Sequence, residues 1–577
     1  MKYGKIIITL RSNIQNMKVF CQLKRYTAII ITSFCVICNP VTAQLPVPKH
    51  EVRAVWLTTI GGLDWPHTYA RSAASAAVQQ REMCEILDRL KAANVNTVLL
   101  QTRVRGTVIY LSEYEPWDGC LSGVPGLAPG YDALGFAVEE CHKRGMELHA
   151  WVVTLPVGKW QKEGCQRLRK KHPSMVKRIG DEGYMNPENA GTADYLARIC
   201  REITSNYDID GIHLDYIRYP ETWPGRLDRE RGRQNITSIV SRINSAVKSI
   251  KPWVKMSCSP VGKYDDLTRY SSRGWNARTK VCQDAQGWLR DGLMDELFPM
   301  MYFRGDQFYP FALDWKENSC GRIISIGLGI YFMSPKEKNW SADVVERQMN
   351  VLRRHGLGHA YFRSRFFTNN LKGIYDMAAS VIDRHPALIP PMTWQWATAP
   401  LPPLSLSVRQ TQDGMLLTWD GAADRSGAPY LLYNVYASDT YPVNTDDARN
   451  LIATRLVSKT IFLPQCPGGR PLHFAVTAMD RYGNESSPIL SDALEEEYTS
   501  ARYLSNDGRR LTLPAKGESL DAEYVAIETL QGNIVAMLPY RGGHADISSL
   551  PPGAYVLKSL GRKGVSHRIG YFMKNYK

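Results

Sequence analysis

An α/β chain built on a (β/α)8 TIM barrel, followed by two small β-sandwich domains, is the fold class this sequence predicts. Three observations carry the prediction. Between residues 51 and 386, short β-rich runs alternate with amphipathic helical stretches, the pattern of a parallel sheet covered by helices. The alternation repeats eight times over about 335 residues, the size of a barrel with inserted loops. It then stops at a proline-rich stretch, 387–403, and only strand-like alternation follows.

Residues 1–43 read as a signal peptide: Lys18, Lys24 and Arg25 precede an apolar run from about Ala28 to Ile37, and Val41-Thr42-Ala43 offers a small-residue cleavage site. That run is too short to span a bilayer, so no transmembrane segment is expected. The expected location is the periplasm or cell surface of a Gram-negative bacterium.

The barrel strands are expected at Val52 to Ile60, Asn96 to Val104, Glu147 to Thr154, Gly211 to Tyr219, Val254 to Pro260, Glu296 to Phe303, Ile323 to Phe332 and Gly358 to Arg363. Helical spacing of Met83, Ile86, Leu87 and Leu90 marks the first helix, and Gly145 ends another that begins near Tyr131. Leu196, Ile199, Cys200 and Ile203 form a third stripe after a long loop. Ser341 caps a helix carrying Val345, Met349 and Leu352, and a closing helix runs from about Leu371 to Arg384.

Pro400-Leu-Pro-Pro closes the stretch 387–403, expected to be a semi-rigid linker. In 404–496, Leu416-Leu-Thr-Trp419, Tyr433-Asn-Val-Tyr-Ala437 and His473 to Asp480 alternate as strands, and the segment resembles a fibronectin type III domain. Residues 500–577 are β-rich again. Ser549 to Val556 resembles the carboxyl-terminal β-sandwich of exported Bacteroidetes proteins, which implies a sorting tail or a structural cap.

The bulk numbers exclude several function classes. The chain has 577 residues and a formal charge of +15, of which residues 1–43 supply six lysines and arginines and no acid. No dense basic block with interleaved aromatics is present, so no nucleic acid partner is expected. Twelve cysteines include three in the signal, leaving an odd number, and none of the nine outside it forms Cys-x-x-Cys. Neither a disulfide scaffold, a metal nor a cofactor is expected, and nothing indicates an oligomeric state.

Chemistry concentrates at the predicted strand ends. In Asp208 to Pro220, alternation turns His213 and Asp215 to one face and Ile212, Leu214 and Tyr216 to the other, delivering Asp215 to the carboxyl rim. Asp64, Trp65, Gln101, Arg103, Trp117, His149, Trp151, Arg218, Tyr219 and Tyr302 gather at the other ends and loops, with Trp56 on the first strand. Acids among Trp and Tyr suit a sugar, whose faces stack on rings while carboxyl groups move protons. Glycosidic cleavage needs two carboxyl groups. Asp215 is read as the charged one. Glu115, Glu221, Asp306 and Asp64 are candidates for the acid, and Glu115 is favoured because Tyr114, Pro116 and Trp117 flank it with apolar surface.

The span from Val52 to about Arg384 resembles the glycosyl hydrolase-like 10 family of bacterial exported proteins. The matching residues are Arg53-Ala-Val-Trp56-Leu, Gln101-x-Arg103, Glu115-Pro-Trp117, Gly130-Tyr131-Asp132, His142-Lys-Arg-Gly145, His149-x-Trp151, Asn186-Pro187, Asp210 to Pro220 and Pro299-Met-Met-Tyr302. The resemblance implies a TIM barrel and a glycosidase, with peptide-stripped bacterial cell-wall glycan as a substrate in part of the family. One departure is Val152-Val-Thr after Trp151, where many relatives carry Asn-Pro. Aligned with family 18 chitinases, Ile217 falls where those enzymes carry their acid, so the proton donor must come from elsewhere. An α-glucan hydrolase and a catalytically silent glycan binder are the rival readings.

Overall fold

The computed structural model describes residues 47–577, except 226, 411–413, 465–471, 492–503, 514–521, 530–533, 541–542, 562–565 and 575–577. The signal-like segment therefore lies outside the described residues. Two compact units divide the chain at residue 490.

In the first unit, β1 (Arg53–Leu57), β2 (Thr97–Arg103) and β3 (Glu147–Val153) are parallel neighbours. The loop expected after β3 carries a small antiparallel sheet of β4 (Pro156–Lys159), β5 (Val176–Ile179) and β6 (Glu182–Met185). The barrel resumes with β7 (Gly211–Asp215), β8 (Lys255–Cys258), β9 (Glu296–Leu297), β10 (Ile323–Leu328) and β11 (Gly358–Tyr361), and β11 pairs with β1 to close it. β9 is far shorter than the expected run because Pro299 has no amide hydrogen for the ladder. Met300 nonetheless bridges Val261 and Gly327, so the wall continues past the break.

Alternation sorts the two faces as expected. Ala54, Trp56, Leu99, Trp151, Val153 and Phe298 pack together inside the barrel. Val55, Leu57, Val98, Leu100, Ile212 and Leu214 face outward into the core shared with the helices. Those helices start at polar caps: Ser72 for Ala73–Ala92, Asp132 for Ala133–Lys143, Asn189 for Ala190–Asn206 and Ser341 for Ala342–Arg354. A further helix, Arg229–Lys248, capped by Asp228, lies between β7 and β8. The closing helix is broken into a 3-10 turn, one α turn and a π turn over Leu371–Ile382.

Behind the barrel, seven strands form two antiparallel sheets: β12 (Leu406–Gln410), β13 (Gly414–Trp419) and β16 (Thr460–Pro464) in one, and β14 (Leu432–Ser438), β15 (Leu451–Leu456), β17 (His473–Met479) and β18 (Ile489–Leu490) in the other. Leu417, Trp419, Tyr433, Val435, Phe474 and Val476 fill the space between them. The proline-rich stretch differs from the expected semi-rigid linker: Leu388, Ile389 and Met392 are buried, and the Trp394 indole donates to Asp295 Oδ1 at 2.8 Å.

Buried charge joins this β-module to the amino-terminal base of the barrel. Arg455, at φ +56°, donates to Glu147 Oε1 at 3.0 Å and Asp210 Oδ1 at 2.6 Å, while Arg481 donates to Asp208 Oδ1 at 2.9 Å. Burial opposes the charge of Glu147, but Lys255 and Arg455 bring its carboxyl down to about 2. Gly145 is needed at this seam, because a Cβ there would come within 2.2 Å of the Thr454 carbonyl.

The second unit, residues 491–577, contains one sheet of β19 (Arg510–Leu513) and β22 (Gly543–Asp546) and another of β20 (Ala522–Thr529), β21 (Ile534–Pro539), β23 (Gly553–Gly561) and β24 (Ser566–Lys574). Leu511, Val525, Ile527, Ile547, Leu557 and Phe572 form its core. Among the described residues no helix is long and apolar enough to cross a membrane.

Candidate active site

Asp215 is the last residue of β7 and only 6% exposed. Its Oδ2 accepts from the Trp151 indole at 3.1 Å, and its Oδ1 accepts from the Tyr216 amide and the Ser259 hydroxyl, each at 2.8 Å. Burial pushes the Asp215 carboxyl above its ordinary value, and these hydrogen bonds with the nearby charge of Arg218 only partly oppose it. Tyr216 then leaves the strand at φ +52°, a left-handed conformation uncommon for a non-glycine residue. The turn sets the Tyr216 ring under Arg218, 4.8 Å from the guanidinium, and Arg218 pairs with Glu221 at 2.8 Å.

Tyr302 faces this group from beyond β9. Its hydroxyl is buried without a hydrogen-bond partner among the described residues, and burial pushes it well above the usual tyrosine range, with contributions from Tyr331 and the charge of Asp215. Its ring lies 5.4 Å from Phe362 and 5.7 Å from Tyr331, so half-buried aromatics from the ends of β10 and β11 form a wall beside the carboxyl.

Below the rim the barrel interior is polar but paired. His213 bonds to the Ser257 hydroxyl at 3.0 Å and accepts from the Trp56 indole at 3.2 Å, and burial with neighbouring His149 drives it well below its ordinary value, leaving it neutral. His149 sits lower still, 3.1 Å from Glu147. Glu296, which accepts from Ser325, is pushed up to about 8 by burial.

Several sequence-predicted residues therefore take other roles. Glu115 does not sit as a carboxyl in apolar surroundings. Arg103 grips both its oxygens at 2.8 and 2.6 Å, Tyr195 adds a third bond at 3.2 Å, and the pair fastens the loop after β2. Asp64 accepts from the Thr58 amide and hydroxyl and from the Arg365 amide, and pairs with Arg363, tying the loop after β1 to the end of β11. Gln101 likewise accepts from the amides of Thr59 and Ile60. Trp65, Trp56 and Tyr219 are at most 1% exposed and are core residues, as is Ile217. His149 and His213 are fully buried beneath the rim. Trp117 is half-buried, and Asp306 is exposed on the 3-10 turn Gly305–Gln307.

Sequence reading missed Ser259, Tyr331, Phe362 and Glu182. The first three follow strand ends, a signal that alternation alone supplies. Glu182 lies on the β4–β6 excursion, whose short strands leave no periodicity to read.

Glu51, His359 and Asp383 offer metal-ligand atoms within 4.8 Å of one another at the base of β1 and β11. Arg53 and Arg353 already pair with both carboxylates, so the site carries its own positive charge and does not suit a cation.

A parallel eight-stranded barrel with a buried carboxyl between an indole and an aromatic wall at its carboxyl rim is the framework of a glycoside hydrolase. Sequence comparison narrows the class: the glycosyl hydrolase-like 10 family model matches residues 51–231 and 227–338, and the chain belongs to that family. It is 30% identical over 299 residues to the glycosyl hydrolase DigH of Escherichia coli strain K12, covering 46% of this chain and 68% of that protein. It is 28% identical over 512 residues to the glycosyl hydrolase YngK of Bacillus subtilis strain 168, covering 82% of this chain and 98% of that protein, so this match runs beyond the barrel. Among solved structures, the glycoside hydrolase domain of PgaB (BpsB) from Bordetella bronchiseptica is similar at a TM-score of 0.40 and 12% identity, covering 57% of this chain and 99% of that domain.

Proposed function

We propose that this glycoside hydrolase cleaves O-glycosidic bonds of peptide-stripped peptidoglycan strands by two-carboxyl acid/base catalysis, with Asp215 as proton donor. The observation that carries the reading is the burial-raised carboxyl of Asp215 at the rim. A carboxyl whose proton is held more tightly than usual suits protonation of a leaving oxygen. Trp151 and the Tyr216 amide can only donate to it, whereas the Ser259 hydroxyl can turn to accept, so the proton belongs on Oδ1. This reverses the sequence expectation that Asp215 is the charged member of the pair.

Glu221 is the partner we assign, as base on water. The Tyr216 hydroxyl feels the charges of both acids, and Glu221 stays accessible beside Arg218. Tyr302 supplies a donor to the bound sugar, and Trp117, Trp151 and Arg218 remain its flanking contacts. The rest of the chain fits an exported enzyme: residues 1–43 have the composition of a signal, and two facing sheets support a fibronectin type III reading for 404–496.

The test is incubation of the mature chain with peptide-stripped strands, intact peptidoglycan, chitin and starch, with products identified by mass. New reducing ends from stripped strands, lost in Asp215→Asn, are expected. Starch cleavage would point to an α-glucan hydrolase, and binding without turnover to a silent glycan binder. Anhydro-sugars would replace hydrolysis with lytic transglycosylation.

A further inference from the structure

Arg105 stands two residues past β2, with its side chain 43% exposed. Its one ion contact among the described residues is a long one, 3.8 Å to Glu182, and Glu182 is already shared with Lys159 at 3.5 Å and the Tyr184 hydroxyl at 3.2 Å. The Arg105 charge also reaches the hydroxyl of Tyr216, the residue whose amide holds Asp215. The rim therefore carries, near Tyr216, a guanidinium that among the described residues has most of its hydrogen-bonding capacity unspent.

Its position is built rather than accidental. A Cβ on Gly158 would lie 3.2 Å from Arg105 Cβ, and one on Gly164 would lie 2.4 Å from the Gly106 carbonyl and 3.0 Å from that of Arg105. Two glycines thus let the β4–β6 excursion and its helix, Glu163–Lys171, close onto the backbone of residues 105 and 106. The excursion is itself cationic: residues 156–185 hold eight lysines and arginines against three acids. Trp160, half-buried, has the guanidinium groups of Arg169 and Arg178 at 4.4 and 5.4 Å from its ring, combining a stacking surface with positive charge.

We propose that Arg105 and the excursion 156–185 form a carboxylate subsite that takes the lactyl carboxylate of a muramic acid residue. This rests on the peptidoglycan reading above and deepens it. In intact peptidoglycan that carboxyl is an amide to the stem peptide and carries no charge, and removing the peptide frees it. A guanidinium binds a planar carboxylate through two parallel hydrogen bonds and gains far less from an amide. The subsite thereby selects stripped strands, and the charged excursion guides further carboxylates of the same strand.

The test compares stripped strands with the same strands after their carboxyls are converted to primary amides. Turnover is measured in the wild type, Arg105→Gln and Arg105→Lys; binding is measured by calorimetry in Asp215→Asn, alone and combined with Arg105→Gln. The wild type should prefer charged strands by about tenfold or more in kcat/KM, mainly through KM. The preference should collapse toward one in Arg105→Gln and survive in part in Arg105→Lys. The binding arm should show the same loss, with equal melting temperatures establishing that the variants fold. A preference undiminished in Arg105→Gln, or equal handling of charged and amidated strands by the wild type, overturns the subsite. Charge-dependent binding that needs Arg105, with no turnover of any strand, would sink the hydrolase reading while leaving the subsite in place.

Discussion

The indole nitrogen of Trp151 lies 3.1 Å from Oδ2 of Asp215 and donates to it, joining the ends of two neighbouring barrel strands. The bond favours the ionised form, so it works against the burial that raises Asp215. Trp151→Phe keeps a ring and deletes the donor. Asp215 should then hold its proton to still higher pH, moving the limb of the pH–rate profile that it sets upward while kcat stays within about tenfold. A limb that stays in place would separate Asp215 from that titration.

Asp215→Asn should cost about 10²–10⁴ in kcat and leave binding of the glycan intact. It should also stabilise the fold near neutral pH. Burial makes the folded chain hold this proton more tightly than the unfolded chain, so the wild type loses stability as pH rises from the unfolded value through the folded one. The amide escapes that loss. Melting curves should show a larger gain over wild type near pH 7 than near pH 4, and a constant gap would count against the raised carboxyl.

Tyr302→Phe removes a buried hydroxyl that has no hydrogen-bond partner among the described residues. An orphaned buried donor costs about 1–3 kcal/mol, so the variant should melt no lower than wild type. Loss of a donor to the bound sugar should nevertheless lower kcat by about tenfold or more. A large fall in melting temperature would mean that the hydroxyl serves structure.

The two glutamates should separate cleanly. Glu115→Gln breaks a buried pair with Arg103 and should destabilise by about 3–5 kcal/mol, with the shape of the pH profile preserved in the folded fraction. Glu221→Gln alters a partly exposed residue and should melt like wild type while losing about 10²-fold or more in kcat. The reverse pattern would restore Glu115 as the partner of Asp215.

Arg455→Ala deprives Glu147 and Asp210 of a shared donor at the base of the barrel. Lys255, His142 and Arg481 remain beside them, so the cost should fall near the low end for a buried pair, about 3 kcal/mol in urea unfolding. A cost near zero would show that the module merely rests on the barrel.

The barrel was legible because a period of two along each strand and capped amphipathic helices between them leave marks in single residues. Asp215 was found by the same rule, and its inward neighbours Trp151 and His213 with it. The partners of charged side chains were not legible. Nothing near Glu115 in sequence announces that Arg103, twelve positions earlier, takes both its oxygens, and nothing near Asp64 announces Arg363. The apolar residues flanking Glu115 suggested a neutral carboxyl, whereas what decides its state arrives from another strand. The excursion after β3 escaped for a different reason: strands of four residues turning on glycines are too short to show a period.

Asp210, held by an arginine of the β-module, directly precedes β7, and Asp215 ends it five residues later. The anchor at one end of the barrel and the chemistry at the other hang from a single strand. Deleting the β-module would loosen that strand at its root, and the resulting inactivity would imitate the loss of a substrate-binding domain. Truncation mapping would thus credit the module with a share in recognition that belongs to the rim.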